Sequence, residues 1–105
     1  MKKPKIEING KTYEIKPIKA RDWRRFFKFD EERKDLLTVE FIEKHCELLA
    51  GMFEDFITID ELLNHLTVSE VINLYDECLK YFLSLLTEKL GEVKNAEETA
   101  ENQTT

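Results

Sequence analysis

The sequence is poor in the residues from which most catalytic and cofactor sites are built. It has three glycines, too few to assemble a conventional glycine-rich phosphate loop. It has two histidines and two cysteines but no His-x-x-x-His or Cys-x-x-Cys pair, so the usual spacing of zinc ligands is missing. The acidic run 30–32 lacks the glycine and the spacing of a calcium loop. We therefore expect no enzymatic activity, no catalytic residues, no metal site and no cofactor.

Long apolar runs are missing as well. The longest helical apolar stretch, Tyr81–Leu86, is interrupted by Ser84 and is far too short to span a bilayer. No export signal accompanies Cys46 and Cys78, so we expect two free, buried thiols rather than a disulfide. A pairing of one of these thiols with His65 from another helix stays open. The sequence predicts a cytoplasmic protein without membrane contact.

Basic residues are outnumbered, and they are concentrated at one end of the chain. The net charge is −6, but residues 1–28 contain ten Lys or Arg and three acids, a net charge of +7, whereas residues 29–105 carry −13. Because phosphate is repelled by an acidic surface, we do not expect a nucleic-acid partner. The two charged regions are either solvated faces, or the basic end of one copy contacts the acidic part of another copy or of a partner.

The strongest local pattern predicts a β-hairpin over residues 5–16. Two alternating runs flank Asn9-Gly10, the dipeptide that most readily supplies the two positive-φ positions of a type I′ turn. A two-residue turn places Ile6 opposite Tyr13. An isolated hairpin is only marginally stable, so its apolar face must cover other elements. The residues of that face are Ile6, Ile8, Tyr13 and Ile15.

A short basic helix is predicted over about residues 20–28. Trp23, Phe26 and Phe27 have the spacing of a core-facing side, although aromatic residues among cations also occur where proteins contact partners or stack on nucleic acid. The following segment, Asp30–Asp35, is predicted to be an exposed, charged connector. The basic residues of this helix are candidates for electrostatic contact with a partner: Arg21, Arg24, Arg25 and Lys28.

Two successive capping boxes separate the last two predicted helices. Thr58 and Glu61 have the Thr-x-x-Glu spacing that opens a helix, and Thr67 and Glu70 repeat it nine residues later. Upstream, Thr38 is expected to be the N-cap of the second helix. These patterns predict helices over about 38–53, 59–66 and 68–90.

Together, these elements predict a mainly α protein with an N-terminal β-hairpin, of the α+β class. About four helices form a small domain around the long C-terminal helix, and residues 1–91 form one globular domain. Gly91 is expected to end the last helix as its C′ residue. Residues 92–105 contain one large apolar residue, Val93, and are interpreted as a flexible acidic tail.

The helix predicted over 68–90 has more apolar surface than a small domain needs. Its apolar arc covers roughly 200°, against little more than 100° for a typical surface helix. One side is expected to face internal partners: Val68, Ile72, Tyr75, Leu79, Phe82 and Leu86. The other side is either covered by the second helix and the hairpin or free to bind a partner: Leu74, Cys78, Tyr81 and Leu85.

Several segments in this order carry a family resemblance: the hairpin, Ala20-Arg-Asp-Trp23, Phe41-Ile-Glu-Lys-His-Cys46, Ile59-Asp-Glu-Leu-Leu63, and Val68-Ser-Glu-Val-Ile72 with Tyr75-Asp-Glu-Cys78. The chain resembles the small tail assembly chaperones of long-tailed phages and prophages of Gram-positive bacteria. The resemblance covers about residues 5–90. It consists of fold-level patterns and supplies no binding residue.

The resemblance implies a non-enzymatic factor that binds the tape measure protein, helps tail tube assembly and self-associates into a homo-oligomer. It also implies contact with the tail tube protein through a longer frameshifted form, location in the host bacterial cytoplasm, and absence from the mature virion. Two other function classes stay open. One is a structural or adaptor protein of the particle, such as a head–tail connector component. The other is a small DNA-binding regulator that uses the Trp23 helix, which the charge of residues 29–105 disfavours.

Overall fold

An antiparallel β-hairpin leads into four α-helices, which confirms the predicted α+β fold with a long last helix. The structure is a computed structural model that describes the backbone of residues 3–54 and 57–104, and the side chains of residues 3–54, 57–88 and 90. The elements are β1 (Lys5–Ile8), β2 (Lys11–Glu14), α1 (Ala20–Glu32), α2 (Thr38–Ala50), α3 (Ile59–His65) and α4 (Val68–Thr104).

The hairpin has the predicted turn and register. Asn9 and Gly10 have φ of 51° and 79°, the two positive values that a type I′ turn requires. Ile6 pairs with Tyr13, as expected. All four residues of the predicted apolar face are buried. Beyond β2, Ile15 forms an isolated antiparallel bridge with Phe53, which fastens the hairpin to the segment that follows α2.

The first helix is longer than predicted, because tertiary contacts extend it. Instead of ending near residue 28, α1 continues to Glu32 and is followed by a short 3-10 helix, Arg33–Asp35. The prediction of a connector over 30–35 is therefore wrong, whereas the predicted exposure holds for four of these six residues. Asp30 and Arg33 are half-buried and lie within ion-pair distance at 3.6 Å, and Asp30 also accepts a hydrogen bond from the Tyr75 hydroxyl.

The second helix has its N-cap one residue earlier than predicted and also ends earlier than predicted. Its N-cap is Leu37 rather than Thr38, and it ends at Ala50 instead of residue 53. The reason at the C-terminal end is the hairpin, since the Met52 carbonyl accepts a 3.0 Å hydrogen bond from the Lys16 N–H. A helical backbone at Met52 and Phe53 would lose this pairing.

Both predicted capping boxes are confirmed. The Glu61 N–H donates to the Thr58 hydroxyl oxygen at 3.1 Å, and the Thr58 N–H donates to the Glu61 carboxylate at 3.2 Å. Thr67 and Glu70 exchange the same two bonds, at 3.1 and 3.0 Å. Each box satisfies backbone donors that a helix start would otherwise leave unpaired.

The last helix continues beyond its predicted end. Helix α4 is Val68–Thr104, so Gly91 lies within it instead of ending it. Residues after Gly91 are largely Glu, Lys, Ala, Gln and Asn, and most of these have adequate helix propensity, which can outweigh one glycine. The described side chains end at Leu90, and the division into a domain of residues 1–91 and a tail of residues 92–105 stays a prediction.

Candidate functional site

The four residues proposed from sequence as a partner-binding stripe lie in or against the core. Cys78 is completely buried, Leu74 and Tyr81 are 6% and 8% exposed, and Leu85 is half-buried. They belong to or pack against the same apolar cluster as hairpin residues such as Ile6. The sequence left open whether this side of α4 is covered by other elements or free to bind a partner, and in the structure it is covered. A role of these residues in partner binding stays a prediction.

The apolar surface that remains exposed lies on the other side of α4, which was expected to face internal partners, so that expectation is wrong for Val68 and Leu86. Leu83, Leu86 and Leu90 are 44%, 39% and 56% exposed, and Val68 is 62% exposed. At about 100° per residue, these four positions and the half-buried Ile72 and Leu79 fall within an arc of about 60° around the axis of α4. We call this set the outer stripe: Val68, Ile72, Leu79, Leu83, Leu86 and Leu90.

The position of α1 explains why this side is left open. Phe26 of α1 is completely buried, and its ring stacks on Tyr75 at 4.9 Å and meets Phe82 edge-on at 4.6 Å between centroids. The Trp23 indole N–H donates to the Phe82 backbone carbonyl at 3.2 Å. Helix α1 therefore covers the edge of α4 that carries Tyr75 and Phe82, and it stops short of the outer stripe.

The two helices run antiparallel where they meet. Trp23, near the start of α1, contacts Phe82, whereas Asp30, near its end, contacts Tyr75. On the outer-stripe side of this contact, Trp23 and Phe27 form a half-buried ring pair with centroids 4.2 Å apart. The exposed leucines of α4 and this aromatic pair of α1 thus lie on the same side of the contact between the two helices.

The four cations of α1 are all exposed, as an electrostatic contact surface requires. None of them makes an ion pair with a residue that the structure describes. Spaced three and four residues apart, they are neighbours of like charge, which costs about 0.2–0.5 kcal/mol per i,i+4 pair. Arg21 also lies in the first turn of α1, where the helix dipole disfavours positive charge. The residues are Arg21, Arg24, Arg25 and Lys28.

These four cations do not all have the same surroundings. The Arg25 guanidinium lies beside Gly51, at the C-terminal end of α2, where the helix dipole favours a cation. Arg24 and Lys28 follow Phe27 around the outer face of α1, at about 60° and 100° from it. On the far side of the outer stripe, exposed Lys80 lies about 100° from Leu79. By the same geometry the acids Asp76 and Glu31 lie nearer to Leu83 and Phe27 than these cations do, so residues of both charges surround the outer stripe.

A buried polar cluster, absent from the sequence predictions, joins α1, α2 and α4. His45 is completely buried, and its Nε2 accepts a 3.2 Å hydrogen bond from Arg33 while its Nδ1–H donates to the Phe41 carbonyl. This arrangement requires the neutral Nδ1–H tautomer, because a guanidinium only donates and a carbonyl only accepts. Burial, together with the Arg33 charge, lowers the pKa of His45 below its usual value.

Tyr75 completes this cluster. Its hydroxyl donates to Asp30, the Arg33 guanidinium lies 4.4 Å from its ring centroid, and burial with the Asp30 carboxylate raises its pKa. Every buried side-chain N and O atom among the described residues has a hydrogen-bond partner. Because its polar atoms are all hydrogen-bonded, the cluster stabilises the packing of the three helices against one another. A spacing pattern could not reveal it, because its members come from positions 30, 33, 45 and 75.

The thiols are placed as inert core groups. Cys46 and Cys78 are free and completely buried, which confirms the prediction made for them. Burial raises the pKa of both, that of Cys78 to about 12. His65 is exposed instead, with its Nε2 3.5 Å from the Asn9 amide nitrogen. The pairing of a thiol with His65 that the sequence left open is not formed.

The described residues show neither a metal cluster nor a membrane-spanning helix. Across the described residues, no group of three or more His, Cys, Asp or Glu side chains could hold a metal ion. Within the same part of the chain, none of the helices combines the length and apolar character that crossing a membrane requires.

The fold and the exposed outer stripe define a small, mainly helical protein with a candidate docking surface for a protein chain. A family model described as phage tail chaperone protein matches residues 1–103. The chain therefore belongs to the phage tail chaperone family, which confirms the resemblance found in the sequence. This membership suggests a non-enzymatic role and phage tail proteins as partners. No curated protein sequence and no solved structure matches the chain significantly.

Proposed function

We propose that this phage tail chaperone binds the tape measure protein through the outer stripe of α4 and so helps tail tube assembly. The observation that carries the proposal is the row of exposed leucines, Leu83, Leu86 and Leu90, on a helix whose opposite side already forms the core. A surface of this kind in a folded domain is typical of an interaction site.

The spacing of the stripe suits an elongated helical client. Leu79, Leu83, Leu86 and Leu90 are separated by 4, 3 and 4 residues, the spacing with which two helices pack side by side. These residues extend over about three turns, or about 16 Å. The chain can therefore hold a short apolar helical segment of its client and release it when tube subunits arrive.

Other parts of the proposal follow from the family resemblance. We propose that the protein works in the host bacterial cytoplasm, self-associates and is absent from the mature virion. A longer frameshifted form would add contact with the tail tube protein. The alternative, an adaptor retained in the particle such as a head–tail connector component, predicts that mass spectrometry of purified virions detects the chain. A chaperone should be missing from those particles.

The central experiment is co-expression of the chain with the tape measure protein from the same phage or prophage. The unaltered chain should keep the client soluble and co-purify with it, and Leu83→Asp combined with Leu86→Asp should abolish co-purification. Leu63→Asp is the matched control, because Leu63 is 41% exposed but lies on α3. A client that remains insoluble and unbound with the unaltered chain contradicts the proposal, as does equal binding by the double variant.

A further inference from the structure

We propose that the open edge of the hairpin binds the same edge of a second copy, so that two chains form one four-stranded antiparallel sheet. This inference rests on the self-association proposed above, and it names the surface, the partner and the register of that association. The observation behind it is the order of charges along β1, where the exposed side chains of Lys5 and Glu7 lie on either side of Ile6.

Within the described residues, one outer edge of the hairpin is paired and the other is open. Beyond β2, the Lys16 N–H donates to the Met52 carbonyl at 3.0 Å, and the Glu54 N–H donates to the Glu14 carbonyl at 2.9 Å. The segment after α2 therefore covers that edge. On the other side the sheet ends at β1. An uncovered edge strand presents a row of unpaired N–H and C=O groups, which is a template for another strand.

The backbone groups that point out of the open edge belong to Lys5 and Glu7. In an antiparallel pair, residues that bond across the ladder alternate with residues whose N–H and C=O point away from it. The Ile15 N–H donates to the Pro4 carbonyl at 3.3 Å, which places Pro4 and Ile6 among the first kind. Lys5 and Glu7 are therefore of the second kind. Within the described part of the chain, these outward groups have no backbone partner.

Space for another strand lies beside this edge. A cavity of about 560 Å³ and a second of about 290 Å³ open along it, and both are lined by Lys5, Ile6 and Glu7 together with Glu77 of α4. Neighbouring strands lie about 4.8 Å apart, so an added strand would enter this space directly next to β1. Helix α4 thus borders the open edge without filling the position of a third strand.

A two-fold axis at Ile6 gives a register in which both the hydrogen bonds and the charges match. It places Lys5 of each copy opposite Glu7 of the other, and each of these two pairs can exchange two backbone hydrogen bonds. Within its own hairpin Lys5 lies opposite Glu14, so its ammonium group would have a carboxylate on either side. A shift by two residues would pair like charges, and a shift by one would turn the side chains to opposite faces of the sheet.

The order of charges favours a second copy over an unrelated strand. Charged residues on an edge strand commonly prevent pairing, and charges of one sign would repel a second copy. Lys5 and Glu7 carry opposite charges, and a two-fold axis reverses their order in the neighbouring strand. The edge is therefore complementary to itself. The apolar face that carries Ile6 stays turned toward the core of each copy.

Exchange of charge between two single variants tests this register. Glu7→Lys and Lys5→Glu should each weaken dimerisation at least about tenfold in analytical ultracentrifugation at low salt, because the two-fold axis then pairs like charges. An equimolar mixture should restore the dimer, since the chain with two lysines then pairs with the chain with two glutamates. Glu43→Lys is the matched control, because it makes the same change of charge at an exposed position of α2 and should leave the dimer intact.

A disulfide trap tests the same register without reversal of charge. In a hydrogen-bonded antiparallel pair the Cα atoms lie about 5.5 Å apart, within the range of a disulfide. A mixture of Lys5→Cys and Glu7→Cys chains should form crosslinked dimers on mild oxidation, seen in non-reducing gel electrophoresis, whereas neither variant should do so alone. The native thiols do not compete, because Cys46 and Cys78 are completely buried.

The outcomes separate this inference from the functions on which it rests. A dimer that both charge variants leave intact overturns the inference, while self-association stands. A mixture that associates no better than the single variants, crosslinking of Lys5→Cys alone, or an equal effect of Glu43→Lys also overturns it. A chain that stays monomeric at millimolar concentration overturns both. Glu7→Lys should still co-purify with the tape measure protein, and loss of that binding would assign the edge to the client and overturn the inference.

Discussion

The Trp23 side chain is hydrogen-bonded to the backbone of Phe82, with 3.2 Å between the indole nitrogen and the carbonyl oxygen. This bond joins the start of α1 to the middle of α4, 59 residues later in the chain. Together with the Phe26 contacts on Tyr75 and Phe82, it sets which edge of α4 is covered by α1. The leucines of the outer stripe are exposed because α1 is placed on that edge.

Replacing Trp23 by Phe tests the contribution of this bond. The Phe ring can keep contact with Phe27 but has no N–H to donate, so we expect a loss of about 1 kcal/mol in the free energy of unfolding. Urea denaturation followed by far-UV circular dichroism measures it. Trp23→Ala should cost more, about 3 kcal/mol, because it also removes the packed ring. Equal stability of Trp23→Phe and the unaltered chain would show that the bond contributes nothing.

Acidic substitutions on the two sides of α4 should have opposite consequences. Leu83 is 44% exposed, so Leu83→Asp should change the free energy of unfolding by about 0.5 kcal/mol or less. Leu74 is 6% exposed, and Leu74→Asp buries an unpaired charge that costs about 3 kcal/mol or more. Thermal unfolding followed by circular dichroism measures both changes. A stable, cooperatively folded Leu74→Asp variant would contradict the burial of that side.

Acidification should weaken the fold through His45. The pKa of His45 is lowered in the folded state, so the unfolded chain binds the proton more tightly, with a usual pKa of about 6.5. The stabilisation is therefore complete above about pH 6.5 and is lost progressively as the pH falls below that value. Urea denaturation at about pH 7.5 and 5.5, above the usual carboxyl pKa values, measures the loss.

Two variants isolate the His45 contribution. His45→Phe should lower stability at neutral pH, because Arg33 loses its acceptor, but should flatten the dependence on pH between 7.5 and 5.5. His65→Gln should leave the pH dependence of the unaltered chain in place, since His65 is exposed. If His65→Gln flattens the pH dependence of stability instead, its assignment to His45 is wrong.

The two thiols should be protected from reagents in the native protein. Cys46 and Cys78 are completely buried, and the pKa of Cys78 is raised to about 12, so little thiolate exists at pH 8. An aromatic disulfide reagent should label neither thiol at pH 8 within minutes, and both at once in concentrated urea. Rapid labelling of either thiol without denaturant would contradict this burial.

Features encoded by neighbouring residues could be predicted from the sequence. The turn at Asn9-Gly10 and the two capping boxes depend on contacts within three or four residues, and the structure has them as expected. The pairing of Ile6 with Tyr13 follows directly from the turn type. Such patterns need no knowledge of the rest of the fold.

The orientation of α4 could not be predicted in the same way. Its wide apolar arc indicates more apolar surface than one core-facing side of a helix accounts for. The structure does leave apolar residues of α4 exposed. Which side is covered depends on where α1 and the hairpin dock, and those contacts join residues far apart in the chain. The side with Leu74 and Cys78 is therefore buried, and the exposed residues include Leu83 and Leu86.

The polar cluster of Asp30, Arg33, His45 and Tyr75 has a consequence for the speed and strength of partner binding. It holds α1 and α4 side by side before any partner arrives, because its hydrogen bonds and ring contacts cross from one helix to the next. The side of α4 that carries the outer stripe is thus ordered in advance, so under the proposed function a docking helix would lose its own conformational entropy without also ordering its receptor. A contact of only three turns can then be strong enough to form and weak enough to be exchanged.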